Sequence, residues 1–99
     1  MEENLKPGRI VHYVLKNGDV RPLTVTRVIP GTKTVNGVLA FDGPNDKSHL
    51  PEELEIRSEI ELRAGTRWME EIPYNELVTG KTLVPGTWHW PAIARAAGQ

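Results

Sequence analysis

Short strand-forming segments separated by strong turn signals dominate the first half of this chain. The run from Arg9 to Leu15 is rich in β-branched and aromatic side chains, which favour a strand. It is followed by Asn17-Gly18, a pair that supplies both left-handed positions of a two-residue hairpin turn. Further strands are predicted over residues 20–29 and 34–41, with Gly37 as a bend in the latter. This spacing restricts the chain to a small all-β fold.

Residues 54–62 show the clearest alternation of apolar and charged side chains. Leucine and isoleucine lie at even positions, interrupted only by Ser58, and glutamate and arginine lie at odd positions. The composition alone favours a helix, but the apolar residues do not recur at the three- and four-residue steps of an amphipathic helix. We therefore expect a half-buried strand here, paired with residues 67–72 as a β-hairpin.

The whole chain, residues 1–99, is expected to form a single domain. The predicted architecture is a small SH3-like barrel with an extra β-hairpin around residues 54–72 and a short C-terminal tail. Its predicted segments are a flexible tail at residues 1–7, a three-stranded barrel half at 8–46, a hairpin insertion at 47–82 and a tryptophan segment at 83–91. A chain of 99 residues buries only about 60–65 % of its unfolded surface, so binding is expected in a surface groove or between subunits.

The composition argues against several classes of protein. The formal charge is −1, from 12 basic and 13 acidic residues, whereas non-specific nucleic-acid binders usually have a basic excess. The absence of cysteine removes disulfides and thiolate zinc sites, and it fits a reducing cytosol. No run approaches 18 apolar residues, and residues 1–6 have no apolar signal core. We therefore expect a soluble, intracellular protein without membrane contact.

Two of the three tryptophans lie in the segment Gly86-Thr87-Trp88-His89-Trp90-Pro91. In a strand, Trp88 and Trp90 point to one face and His89 to the other. Two indoles on one face can clamp a nucleobase, with stacking worth about 1–3 kcal/mol per base. The alternative is that they fill the core, although two bulky indoles are hard to bury wholly in so small a domain. At least one is then expected to be partly exposed or to lie at a subunit interface.

Arg9, His12 and Tyr13 form a second candidate cluster on the first strand. An arginine such as Arg9 can bind phosphate or carboxylate in a bidentate manner. His12 and His89 can approach each other across strands, and together with a carboxylate they could hold a metal. No local spacing of metal ligands supports that reading, so no metal site is predicted and His12 is read as a hydrogen-bonded strand residue.

The loop from Asp42 to Asp46 is dense in turn-forming residues. Asp42 and Asn45 could bind a cation or ribose hydroxyls, or they could cap their own turn; the loop lacks the calcium-loop pattern.

The sequence has no glycine-rich phosphate loop, nucleophile elbow or His-Glu-x-x-His motif. The glutamate pairs at residues 52–53 and 70–71 are adjacent, so in strands they face opposite ways. The protein is therefore predicted to be no enzyme and to need no cofactor.

Several of these motifs together resemble a family of small proteins encoded by tailed bacteriophages. The resemblance lies in residues 8–15, 17–18, 21–22, 41–46 and 85–91, and it covers the first 46 residues and about the last 15. It implies a phage origin and a location in the bacterial host cytoplasm or in the virion. It also implies the roles typical of small phage proteins, which block host defence, build virions or regulate host enzymes.

The sequence and the resemblance together predict a non-catalytic phage accessory protein that forms a homo-oligomer. It would sequester a nucleotide or cyclic-nucleotide signal of host anti-phage defence. The predicted ligand-binding residues are Trp88, His89, Trp90, Arg9, His12, Tyr13, Asp42 and Asn45. Two alternatives are a virion structural or assembly protein and an SH3-like module that binds a host or phage protein through an aromatic groove.

Overall fold

The computed structural model of the chain describes residues 5–50, 59–76 and 83–91. Strands are present at Ile10–Val14 (β1), Val20–Val28 (β2), Val35–Ala40 (β3), Thr66–Ile72 (β4) and Trp88–His89 (β5). A 3₁₀-helix at Gly43–His49 and a short α-helix at Glu59–Ala64 (α1) connect β3 to β4. The strand predictions for the first half of the chain are confirmed to within a residue or two at each end.

The five strands form one antiparallel sheet in the order β4-β3-β2-β1-β5. The fold is therefore all-β, as the spacing of strands and turns predicted. β1 lies inside the sheet, between β2 and β5, because it carries apolar side chains on both faces. Its buried face contributes Val11 and Tyr13 to the core, and Leu15 follows directly after the strand. Strands β2, β3 and β5 complete the core with Leu23, Val25, Val35, Leu39 and Trp88.

The turn between β1 and β2 is a hairpin, but its loop is one residue longer than the predicted two-residue turn. Gly18 adopts the left-handed conformation with φ 93°, whereas Asn17 does not. The Gly18 N–H donates to Leu15 O at 3.0 Å, and the Leu15 N–H donates to Asp19 O at 2.7 Å. The Asn17 side chain caps the loop instead, since its Oδ1 accepts the Asp19 N–H at 3.1 Å. Only the glycine of the pair needs its conformational freedom here.

The predicted hairpin around residues 54–72 is wrong in its first half. Glu59–Ala64 forms helix α1, and the partner of β4 is β3. Residues 54–58 lie outside the described part of the chain. The helix buries Leu62 and ends at Gly65, whose left-handed φ of 71° turns the chain into β4. A segment of six residues is too short for alternation to distinguish a strand from a helix. The helix propensity of glutamate and leucine therefore determines the local structure.

A bulge near the end of β4 changes which side chains face the core. Strict alternation along residues 67–72 would place Met69 and Ile72 on opposite faces, yet both are buried. The reason is Glu71, which has a left-handed φ of 56° and shifts the later residues to the other face. Asn36 holds this conformation, because its Oδ1 accepts the Glu71 N–H at 2.8 Å. Trp68 lies before the bulge and alternates with the buried Met69, so it is on the solvent side of the strand.

The segment that follows β4 contacts β5 at the far edge of the sheet. The Trp88 N–H donates to Pro73 O, and the Asn75 N–H donates to Trp88 O, both at 3.0 Å. These bonds form one parallel bridge between Tyr74 and Trp88. A single bridge is much shorter than a paired strand, so a closed SH3-like barrel stays a prediction.

Candidate functional site

Trp88, the first residue of the predicted ligand site, is a core residue. It is 0 % exposed, and its indole N–H donates to Lys33 O at 2.8 Å. The ring centre of Tyr74 lies 4.6 Å from that of Trp88, and the Lys33 ammonium lies 4.7 Å from the Tyr74 ring centre. These contacts fix the indole inside the domain, so a base cannot stack on it without opening the fold.

Trp90 is half-buried beside Trp88, and the two indoles do not form parallel walls. Their ring centres are 5.6 Å apart and their planes meet at 87°, an edge-to-face arrangement. The Trp90 N–H is buried and has no hydrogen-bond partner among the residues described here. The pair therefore offers one partly exposed indole in place of a two-sided clamp.

The two histidines of the predicted site do meet. His12 of β1 lies directly opposite His89 of β5, with ring centres 5.7 Å apart and planes at 88°. His89 is buried. His12 is half-buried, and this burial lowers the pKa of His12 below its ordinary value. In residues 5–50, 59–76 and 83–91, no group of three histidine, aspartate or glutamate side chains is arranged to hold a metal.

The remaining predicted residues are dispersed over the fold. Arg9 is exposed just before β1, and its carbonyl oxygen accepts the Val25 N–H at 2.8 Å. Tyr13 is buried in the core. Asp42 and Asn45 bind each other through a backbone bond of 3.0 Å and a side-chain bond of 3.1 Å. This contact is the self-capped turn that was the alternative to a ligand loop.

Asp46, at the end of the same loop, is buried and forms an ion pair with the partly exposed Arg21 that the sequence did not predict. It is 2 % exposed and accepts both Nε and Nη2 of Arg21, at 2.7 and 2.8 Å. It also accepts the Asp42 N–H at 2.6 Å. This bidentate pair ties the 3₁₀-helix to β2, and the Arg21 hydrogen bond holds the pKa of Asp46 below its ordinary value.

Replacing Asp46 by asparagine is expected to destabilise the fold at neutral pH by about 2 kcal/mol, because Arg21 loses its charged partner. The pKa of Asp46 is lower in the folded chain than in the unfolded one. The contribution of the charged Asp46 to stability is therefore present above the pKa of about 3.9 that aspartate has in an unfolded chain. It is lost as the pH falls through the lower pKa of Asp46 in the folded chain. Urea unfolding at several pH values should show the difference between wild type and Asp46→Asn shrinking below that range. Asp42→Asn, the same change at an exposed carboxylate, is the control, and an equal effect there would contradict the assignment.

An open cavity lies beside β4, where the sequence predicted no ligand residues apart from Tyr13. A cavity of about 500 Å³ opens to the solvent there. Strand β4 and the following proline supply most of its lining, and Tyr13 and Gly86 lie on it from β1 and the tryptophan segment. The lining residues are Tyr13, Arg67, Trp68, Met69, Glu70, Glu71, Ile72, Pro73 and Gly86.

Trp68 is the exposed aromatic residue of this cavity. It is 52 % exposed, and its indole N–H reaches Thr26 Oγ1 at a long 3.4 Å. The sequence did contain a signal for it: a tryptophan next to Arg67 in a short segment that also carries two glutamates. The cavity itself had no such signal, because its walls come from parts of the chain that are far apart in sequence.

No protein-family model, no curated protein and no solved structure matches this chain. The resemblance to small tailed-phage proteins therefore stays a prediction. Within the residues that the structure covers, none of the helices has the length and apolar character needed to cross a membrane.

The site residues fall into two groups by their surroundings. Trp88, His89 and Tyr13 are enclosed by the fold, and Asp42 and Asn45 are bonded to each other. By contrast, the cavity beside β4 joins an exposed indole, apolar side chains and two exposed carboxylates at one opening. That combination is typical of a surface that binds another molecule.

Proposed function

We propose that this protein is a non-catalytic protein-interaction module, and that it binds a peptide segment of a host or phage protein in the cavity beside β4. The observation that carries the proposal is the position of Trp68, more than half exposed on the rim of that cavity. Tryptophan is the residue most often found at the energetic centre of protein interfaces. An exposed indole beside a preformed opening is ready to be covered by a partner.

The chemistry of the lining fits a peptide. Met69, Ile72 and Pro73 supply apolar surface, while Glu70 and Glu71 add exposed carboxylates at the rim. The volume of about 500 Å³ lies within the range of about 300–1,000 Å³ that ligand sites usually have. Peptides are commonly recognised at surfaces that combine apolar pockets with exposed strand edges, which supports the interaction module among the predicted alternatives.

The predicted nucleotide site has less support than the peptide site. It depended on two indoles, and the burial of Trp88 leaves only Trp90 partly accessible. At the cavity beside β4, the two glutamates would repel the phosphates of a nucleotide. Sequestration of a nucleotide signal, assembly into virions and homo-oligomerisation stay predictions, which the experiment below can separate from peptide binding.

The test is a selection from a displayed library of linear peptides about a dozen residues long, followed by titration calorimetry with the selected peptide. Trp68→Ala is expected to weaken binding about 30-fold, because a tryptophan at the centre of an interface contributes about 2 kcal/mol or more. Ile10→Ala is the matched control, since Ile10 is 57 % exposed on β1 and lies outside the cavity lining. It should leave the affinity unchanged.

Two results would contradict the proposal. One is a selected peptide that binds Trp68→Ala as tightly as it binds the wild type. The other is a library that yields no binder while native mass spectrometry with mono-, di- and cyclic nucleotides shows one of them retained. The second result would favour nucleotide binding over peptide binding as the function of this protein.

A further inference from the structure

The geometry points to a specific mode of recognition: the peptide binds as an additional β-strand along the outer edge of β4. The inference rests on the proposed function and adds to it the binding mode, the length and the chemistry of the peptide. Its experimental test is chosen so that the mode can fail while peptide binding stands.

Strand β4 lies at one end of the sheet order, so only one of its two edges pairs with another strand, which is β3. One hydrogen bond shows which residues of β4 direct their backbone groups towards β3: the Phe41 N–H donates to Gly65 O at 2.8 Å. In an antiparallel ladder, alternate residues direct their N–H and C=O groups to the same neighbour. Residues 65, 67 and 69 therefore face β3, and Thr66, Trp68 and Glu70 direct their backbone groups outward, towards the cavity side.

Within the part of the chain that the structure describes, these outward groups have no partner strand. Within the described ranges, no backbone hydrogen bond joins Thr66, Trp68 or Glu70 to any segment on the outer side of β4. Each of the three residues offers one donor and one acceptor. Exposed strand edges of this kind are templates for pairing with another chain.

The two ends of this free edge set the length of the partner. Gly65 ends helix α1 on one side, and the bulge at Glu71 ends the regular ladder on the other. The Glu71 N–H is already taken by Asn36 Oδ1 at 2.8 Å. The edge thus spans residues 66–70, which corresponds to a peptide of about five residues and about 17 Å.

The surroundings of the edge set the side chains of the peptide. Alternate residues of an added strand point to opposite faces. One set would face the cavity, where Tyr13, Met69 and Ile72 favour an apolar side chain. The other set would lie beside the exposed Glu70 and Glu71, which favour lysine or arginine. Arg67 also lines the cavity, but it already has an interaction partner within the fold.

The predicted ligand is therefore a short extended peptide with alternating basic and apolar residues. The probe is a synthetic peptide of the pattern Lys-Val-Lys-Val-Lys with both ends blocked, and the control is its glutamate counterpart, Glu-Val-Glu-Val-Glu. Peptides selected from the library are examined in the same way. Glu70→Gln combined with Glu71→Gln is expected to weaken binding of the lysine peptide about tenfold at low salt and to have little effect at high salt.

Residue-resolved amide hydrogen exchange tests the binding mode. In the free protein, the amides of Thr66, Trp68 and Glu70 should exchange quickly, and those of Arg67 and Met69, which face β3, should exchange slowly. A saturating concentration of the lysine peptide should slow the exchange of the three outward amides at least about tenfold. It should leave the exchange of the Arg67 and Met69 amides unchanged. The glutamate peptide should change none of the five amides.

The outcomes separate the two proposals. If a peptide requires Trp68 for binding but leaves the outward amides unprotected, the strand-addition mode is wrong and the interaction module stands. If no peptide binds, both proposals fail together. If the outward amides are protected in the protein alone, in proportion to its concentration, the occupant of the edge is a second copy of this chain and the peptide assignment is overturned.

Discussion

Replacing Trp88 by alanine is expected to lower the free energy of unfolding by about 3–5 kcal/mol, the range for truncation of a buried aromatic side chain. The indole is 0 % exposed, so its removal leaves a large cavity in the core. Lys33 O also loses the donor that lies 2.8 Å away. In a domain whose total stability is about 5–15 kcal/mol, this loss can abolish folding near physiological temperature. Urea unfolding followed by circular dichroism measures the change.

Trp68→Ala is the matched control for this prediction. It deletes the same side chain from a position that is 52 % exposed, and we expect a loss of less than about 1 kcal/mol. The two variants thus separate the structural tryptophan from the binding tryptophan. Equal losses of stability would contradict the distinction, and a stable Trp88→Ala protein would contradict the assignment of Trp88 to the core.

Replacing Gly37 by alanine is expected to have the second largest effect, a loss of about 3 kcal/mol. A Cβ atom at Gly37 would lie 2.6 Å from Thr24 O and 3.1 Å from the Leu23 Cγ. The first contact is with backbone, so β2 and β3 must separate in the middle of the sheet to make room. The same unfolding measurement applies, and the amides that join β2 to β3 should lose protection from exchange.

Gly31→Ala provides the comparison for Gly37→Ala. Gly31 has a left-handed φ of 77°, and nothing lies within 4 Å of a Cβ placed there. Only the backbone conformation is penalised, at about 1–2 kcal/mol. If the two variants lost the same stability, the close approach of Gly37 to Thr24 would not be the cause.

The sequence was sufficient to predict the meander of β1, β2 and β3. Each strand has a strong local pattern, and glycine-containing turns separate the strands. The sequence also showed that His12 and His89 could approach each other across strands, and they do so in the pairing of β1 with β5. For the tryptophans it left two readings open, and only the packing around Trp88 shows that one indole belongs to the core.

Two other features could not be read from local patterns. Helix α1 has only six residues, so a two-residue repeat carried little information there. The bulge at Glu71 reverses the faces of β4, and no glycine or proline marks that position. The cavity depends on the bulge and on the tertiary fold, since the bulge brings Ile72 to the same face as Met69 and the fold brings Tyr13 and Gly86 to them.

The pairing of β1 with β5 has a consequence for how the chain reaches its native state. The two strands are separated in sequence by β2, β3 and β4, so their contact closes a long loop and forms against a considerable entropic barrier. Until Trp88 and His89 are in place, one edge of β1 is uncovered, and that strand carries apolar side chains on both faces. Such an edge is prone to pair with other unfinished chains. The short strand β5 thus protects the folding protein from aggregation as well as completing its core.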